Sequence, residues 1–312
     1  MDQFDDSTHV CVVIFVARET LETLHQTVTA AVRAAPVGSS IDVLINGNPI
    51  LADLAFNLLK DENNNKNISI KIWKITLGDK ANAWNQHIHN IWSSDSLVFY
   101  IDGYVRLHQD AIRNLINTMD AAPDSLAGTG VPSVGRSAPI LRNLLLTQGG
   151  IHGNLCCIRG VTLSEFRKRQ IRLPLGIYRT DSTIGAILSF GLDPLKFSWN
   201  PKKFIAIAGN ATWETNTKRW WNYDDVNGAI RRVMRQFRGQ IENQAIKSHL
   251  EILKLAPEKI PPNVSGLIAE WVQRFPEKSN EFVGNNPFLR RAMNELLLEK
   301  DWSDAKLPPV LL

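Results

Sequence analysis

The chain has 312 residues, 44% of them hydrophobic and 21% charged, with a formal net charge of +4, a profile that excludes a disordered or fibrous protein and fits a soluble globular one. Its longest uninterrupted apolar run, Val10 to Ala17, falls well short of the about 20 residues that cross a bilayer, and the residues before it are acidic where a signal peptide would be basic. Cys11, Cys156 and Cys157 are an odd set in apolar segments without CxxC spacing, which argues against a disulfide scaffold and for a reducing, cytoplasmic location.

From the start to Leu107 the pattern alternates strand and helix. Strands are expected at His9 to Val16, Ile41 to Asn46, Ile68 to Ile75 and Leu97 to Asp102, with helices at Glu19 to Ala35, Ile50 to Leu59 and Lys80 to Trp92. The first helix rests on Leu21, Leu24, Val28, Ala31 and Val32 sharing a face, with Pro36 and Gly38 to stop it. This βαβα order predicts an α/β fold with a doubly wound, mostly parallel sheet. The middle, Ala121 to Arg172, is rich in Gly and Ser around Gly128 to Ser137 and predicts a flexible loop beside a small strand; Thr162 and Glu165 at capping-box spacing then open a helix.

Beyond Pro201 come a Trp-rich loop (Trp213, Trp220, Trp221) and a basic amphipathic helix with Val226, Ala229, Ile230, Val233, Met234 and Phe237 on its apolar face. Trp199 to Gln240 holds eight basic residues (Lys202, Lys203, Lys218, Arg219, Arg231, Arg232, Arg235, Arg238) against three acidic ones, a local excess of five that suggests an anionic partner such as a diphosphate or a lipid surface. Further helices are expected near Ile241 to Leu255, Val264 to Phe275 and Pro287 to Glu299, forming a helical C-terminal extension.

The stretch from Leu97 to Leu107, LVFYIDGYVRL, carries the most chemistry. Val98 to Ile101 read as a strand covered on both faces, so Asp102 emerges at its carboxyl end, where open α/β sheets hold their ligand crevice; Gly103 beside it lets a ligand approach the backbone. His87 and His89 lie two apart on the expected third helix, point to different faces and do not make a metal site together.

Five segments in order, VIFVARETLETL, DVLINGNP, LGDKANAWNQHI, VFYIDGYVRL and LPLGIYRTDSTIGAIL, resemble the family 2 glycosyltransferases of the GT-A fold over roughly Val10 to Gln240. The resemblance implies a glycosyltransferase domain over 1–240, with a nucleotide-binding half at 1–107 and an acceptor half at 108–240, followed by the helical extension at 241–312. It implies that Ala17, Arg18, Glu19, Asn46, Asn48 and Lys80, together with Asp102, Gly103 and Tyr104, line the donor pocket for a nucleotide-diphosphate sugar, a UDP-sugar first among them. Amide side chains suit the edges of a uracil-like base, and a lysine suits a diphosphate. Asn46 before Gly47 also reads as a turn residue.

Asp102 corresponds to the first acid of the family's Asp-x-Asp signature and is the one candidate ligand for Mg²⁺ or Mn²⁺. The second acid is replaced by Tyr104, a phenol and a poor ligand for a hard cation, so metal dependence is expected to be weak or absent. Asp181 stands where the family carries its catalytic base, with Thr180 in place of the preceding glutamate; a helix N-cap is the alternative reading of Asp181. His152, Asn154 and Trp213 are implied on the acceptor side. The expected activity is inverting transfer of a sugar to an acceptor hydroxyl, non-processive because the Gln-x-x-Arg-Trp signature of polymer synthesis is missing. Two other readings stay open: a catalytically inactive nucleotide-sugar-binding protein, which the Tyr104 and Thr180 departures would suit, and a scaffold with peripheral membrane contact through the basic helix. No nucleic-acid recognition motif occurs.

Overall fold

A computed structural model of the protein describes residues 10–60, 67–93, 97–135, 137–215 and 224–312, with the backbone only for 224–232. Trp220, Trp221, Lys218 and Arg219 of the expected Trp-rich loop, and the side chains of Val226, Ala229, Ile230, Arg231 and Arg232, lie outside that description.

Strands β1 (Val10–Val16), β2 (Ser40–Asn46), β3 (Ser69–Ile75) and β4 (Leu97–Asp102) pair in parallel in the order β3-β2-β1-β4. Helices α1 (Leu21–Ala34), α2 (Pro49–Leu59) and α3 (Lys80–Gln86) make the crossovers. The sheet continues beyond β4 through β7 (Cys156–Arg159), β6 (Ala127–Pro132), β8 (Ile205–Thr215) and β5 (Val105–Leu107), and β9 (Val310–Leu311) closes the β3 edge. Six of these nine described strands run one way; β5, β7 and β9 are antiparallel to their neighbours. The α/β, mostly parallel fold expected from the sequence is the fold of the chain.

Alternation along each strand builds two cores, one per face. Cys11, Val13 and Phe15 of β1 with Val98 and Tyr100 of β4 join one apolar cluster; Val10, Val12, Ile14 and Val16 with Phe99 and Ile101 join the other, beneath α1, α2 and α4 (Ala111–Asp120). Covered on both faces, these strands read as continuous apolar runs, which is why the sequence revealed them.

Element bounds differ where local signals mislead. Helix α1 begins after Thr20, whose hydroxyl accepts the Thr23 N–H, and stops where Ala35 turns extended before Pro36. Helix α3 gives way at His87 to a π-helical turn, His87–Ile91. The Gly- and Ser-rich middle is not a loop over 127–132: it is β6, fully buried, because its glycines admit close neighbours. A Cβ on Gly130 would stand 2.5 Å from the Ala211 carbonyl oxygen and 2.6 Å from Leu155 Cδ2. Gly130→Ala is therefore expected to cost about 1–3 kcal/mol by overpacking, measurable as a lower denaturant midpoint at unchanged slope.

The expected capping box also fails. Helix α6 (Gly160–Lys168) starts before Thr162, whose hydroxyl donates instead to the Leu126 carbonyl, as a buried hydroxyl must find a partner. Between α6 and β8 lie α7 (Thr180–Ser189) and a short α8 (Pro201–Phe204), and α5 (Ala138–Gln148) follows β6. Strand β8 was missed by the sequence reading, which took Trp213 for a loop residue.

The basic helix and the helix expected from Ile241 are one element, α9 (Asp224–Lys247), which runs through position 240. Val233 is 48% exposed and leaves the expected apolar face, while Met234 and Phe237 pack on the core. Helices α10 (Val264–Arg274), α11 (Pro276–Val283) and α12 (Pro287–Leu297) form the helical C-terminal region and share one apolar cluster with Trp84 of α3 and Tyr100 of β4. No helix among the described residues is long and apolar enough to cross a membrane.

In the π-turn, His89 Nε2 donates to the Ile171 carbonyl while its buried Nδ1 has no hydrogen-bond partner among the described residues, and burial pushes its pKa down to about 4. The folded state holds this ring neutral where the unfolded chain, near 6.5, would bind a proton. Its stabilising contribution is present above pH 6.5 and declines as pH falls toward 4. His89→Gln should flatten stability against pH over that window, as read by urea midpoints from pH 7 to 4.

Candidate active site

The strand order reverses around β1, with β2 on one side and β4 on the other, and at such a switch point the loops leaving the carboxyl ends part to form a crevice. Phe15 of β1 and Asp102 of β4 are register partners at that end. A cleft of about 850 Å³ opens there. Ala17, Arg18, Glu19, Asn46, Lys80, Asp102, Tyr104, His152, Asn154 and Asp181 all line it, so residues far apart in sequence meet in one cleft.

At its centre Lys80, at the start of α3, pairs with Asp102 Oδ1, and the Tyr104 hydroxyl stands 3.0 Å from Asp102 Oδ2. Burial opposes the Lys80 ammonium, yet Asp102 and Asp181 outweigh it and hold its pKa above the usual lysine value. Burial, then the Asp102 charge, pushes the Tyr104 phenol upward, so it stays neutral; its single proton can also reach Asn154 Oδ1 at 3.3 Å. Asp181 sits in the first turn of α7 but is not its cap: Arg179 holds that place. Asp181 Oδ2 accepts the Gly153 N–H at 3.3 Å and Oδ1 accepts the Ser182 N–H. A Cβ on Gly153 would lie 3.4 Å from Asp181 Oδ2 and 3.5 Å from Lys80 Nζ, which places base candidate and ammonium around one glycine.

His152 Nδ1 accepts the Asn154 N–H, which leaves Nε2–H as the donor of a neutral ring; burial holds its pKa low despite Asp181 and Asp102 nearby. Arg235 and Arg238 reach the cleft from α9, each with a buried Nε that has no hydrogen-bond partner among the described residues, and Arg235 lies 5.9 Å from the Tyr178 ring centroid.

Five expected contacts take structural duties. Asn46 Nδ2 donates to the Val16 carbonyl at 2.7 Å, tying the ends of β2 and β1, although its residue still borders the cleft. Asn48 is the N-cap of α2 and does not line the cleft. Gly103 serves a close approach of protein and not of ligand: its N–H meets the Phe15 carbonyl, and a Cβ there would lie 2.9 Å from that oxygen. Trp213 is buried in β8 and packs its ring 4.9 Å from that of His152, backing the site from behind. Glu19 also turns inward, its carboxylate accepting the Ala17 and Arg18 N–H groups and so fixing the loop after β1.

Other residues were not foreseen. Asp79 caps α3 and accepts the Gly176 N–H, while Asn85 exchanges two hydrogen bonds with Leu173. Buried Glu242 of α9 accepts the Tyr178 and Arg179 N–H groups. Together they anchor the segment that delivers Asp181. Asp79 was legible as an N-cap before Lys80. Lys300, Asp301 and Trp302 enter the cleft from the C-terminal segment, where no local signal announces them; Trp302 packs over Gly176, whose φ is +82°. On the far side of Asp181 and Ser182 lies a second cavity of about 520 Å³, walled by Ile151, Ala186, Phe190, Trp199, Ile246 and Leu250 among others.

No family model and no curated protein matches the sequence. Among solved structures, the chain is similar to a mannosyltransferase from Pyrobaculum calidifontis in complex with GDP-Man and Mn²⁺, at 14% identity over 96% of this chain and 79% of that one, with a TM-score of 0.56. It is also similar to S. aureus TarS 1-349 in complex with UDP-GlcNAc, at 11% identity over 92% and 80% of the two chains, with a TM-score of 0.47. The likeness to the mannosyltransferase is one of fold.

Proposed function

We propose that the protein is a glycosyltransferase that moves a sugar from a nucleoside diphosphate to an acceptor hydroxyl, with inversion and one sugar per encounter. The observation that carries this reading is the meeting of Lys80, Asp102 and Asp181 at the β1/β4 switch point, in a cleft that Asp181 separates from a second cavity. The loops of residues 15–19 and 77–80 and the end of β4 would hold the nucleotide, a UDP-sugar being the first to test. The half from 108 to 240 would serve the acceptor, entering by the second cavity. Fold likeness to a mannosyltransferase supports sugar transfer in general and leaves the donor open.

In this reading Asp181 removes the acceptor proton as the acceptor oxygen bonds to the anomeric carbon. The bond from that carbon to the diphosphate oxygen breaks, the electron pair leaves with the nucleoside diphosphate, and Asp181 later returns its proton to solvent. Lys80, Arg235 and Arg238 would meet the charge on the leaving group, the role that pre-oriented cations fill in a water-poor site. His152 Nε2–H is free to donate to the sugar or the acceptor. A divalent cation does not fit this donor set: both Asp102 oxygens already meet donors, Lys80 on one and Tyr104 on the other, and Tyr104 stays a neutral phenol. No step is routed through Mg²⁺ or Mn²⁺.

The experiment is calorimetric titration with UDP, GDP and dTDP, each with and without Mn²⁺, repeated on Asp102→Ala. One nucleotide binding at micromolar Kd, independently of Mn²⁺ and lost in the variant, is the expected result. Binding of none would return the weight to a scaffold.

A further inference from the structure

At the other end of β1, about 15 Å from the cleft at about 3.3 Å per strand residue, three side chains of different chemistry converge. They are Cys11 of β1, Asp42 of β2 and His87 at the junction of α3 with the π-turn. All three are buried, and their ligating atoms lie within 4.8 Å of one another. Cys11 Sγ is 3.3 Å from Asp42 Oδ2, and His87 Nε2 is 3.9 Å from the same oxygen.

As a hydrogen-bonded network the cluster is incomplete. The His87 ring is 0% exposed and its Nε2 has no hydrogen-bond partner among the described residues; 3.9 Å is too long for a hydrogen bond. Among the described residues the buried Asp42 carboxylate has only a thiol and the Trp73 indole N–H, at 2.9 Å on Oδ1, as hydrogen-bond donors, a costly placement for a charge. The gap is instead of the size that an ion fills. Zinc bonds of about 2.0–2.3 Å at the tetrahedral angle set donor atoms about 3.3–3.6 Å apart, between the two distances seen here.

The surroundings orient each group as metal ligands are oriented. Trp73 holds Asp42 Oδ1 and leaves Oδ2 facing the cluster. The Tyr100 hydroxyl lies 3.1 Å from His87 Nδ1; a proton on Nδ1 directed at that oxygen presents the Nε2 lone pair to Asp42 and Cys11. The π-turn that begins at His87 is a helix irregularity of the kind found at functional sites. A cavity of about 290 Å³, lined by Cys11, Asp42, Ser39, Ser40 and Lys71 among others, opens beside the cluster and gives entry from solvent.

We propose that Cys11 Sγ, Asp42 Oδ2 and His87 Nε2 bind one zinc-type divalent cation, with a water from the adjoining cavity as fourth ligand. Binding releases the Cys11 thiol proton to solvent. Thiolate, carboxylate and a neutral imidazole then balance the 2+ ion, leaving a neutral buried unit. The ion joins β1 and β2 to the end of α3 and takes no part in the cleft's chemistry.

The test uses the full-length protein, stripped with a chelator and titrated with Co²⁺. The expected result is one equivalent bound, with a thiolate-to-cobalt charge-transfer band in the near ultraviolet and the strong visible bands of a tetrahedral ion. Both should vanish in Cys11→Ser, while far-ultraviolet circular dichroism and nucleotide binding in the cleft persist. No charge-transfer band in the wild type overturns the proposal, as does a band that survives in Cys11→Ser, since its sulfur would then be Cys156 or Cys157. Should Cys11→Ser not fold, X-ray absorption of the zinc-loaded wild type decides: one sulfur at about 2.3 Å with nitrogen and oxygen at about 2.0–2.2 Å supports the site, and a sulfur-free shell refutes it.

Discussion

Asp181→Asn is expected to lower sugar transfer by about 10²–10⁴-fold, the range that a positioned general base contributes, with nucleotide affinity within a factor of two of wild type. The substitution keeps an oxygen to accept the Gly153 N–H and keeps the first turn of α7, so folding should survive. Steady-state turnover with a saturating donor separates the roles. A loss in kcat with donor KM unchanged identifies a base. Unchanged turnover would leave Asp181 as a first-turn carboxylate held by the Gly153 and Ser182 N–H groups and favoured by the helix dipole, and would remove the proposed mechanism. Asp181 borders both cavities, so the test also bears on where the acceptor enters.

Lys80→Met should weaken nucleoside diphosphate binding by about 10- to 100-fold, since a hydrogen bond to a charged group is worth about 1.5–3 kcal/mol. Lys80 is the cation nearest the carboxylates of the cleft: it pairs with Asp102, and Asp181 also raises its pKa. Removing it takes a positive charge from the diphosphate site and leaves Asp102 with Tyr104 alone. Titration at two ionic strengths checks the cause. The affinity difference between wild type and variant should shrink at high salt, because part of the lost attraction is long-range and screened. Equal affinities of the two proteins would mean that the phosphates lie elsewhere, with Arg235 and Arg238 as the next cations to replace.

Strands β1, β2 and β4 were legible because they are buried on both faces, which makes them continuous apolar segments bounded by turn residues; Leu97–Asp102 was read residue for residue. Its carboxyl-end Asp102 was legible for the same reason, since the rule that ligands gather at strand ends is local to the strand. Strand β6 was not, because its glycines look like loop residues and only packing explains them, Met119 and Leu115 against Gly128 and Leu155 and Ala211 against Gly130. Nor could sequence tell Asn46 the ligand from Asn46 the strap on Val16, since both employ the same amide.

What the sequence by itself determined is the order of elements in the first hundred residues and the types of group available to the cleft, because periodicity and strand ends are short-range properties. The tertiary structure alone decided which of those groups meet. Asp102 and Asp181 stand 79 positions apart, Glu242 fixes the segment before Asp181 from another helix, and the C-terminal Trp302 packs on Gly176. Cys11, Asp42 and His87 come together only because β1 and β2 lie side by side beneath the end of α3, a juxtaposition that arises from packing and leaves no mark in any local stretch of chain.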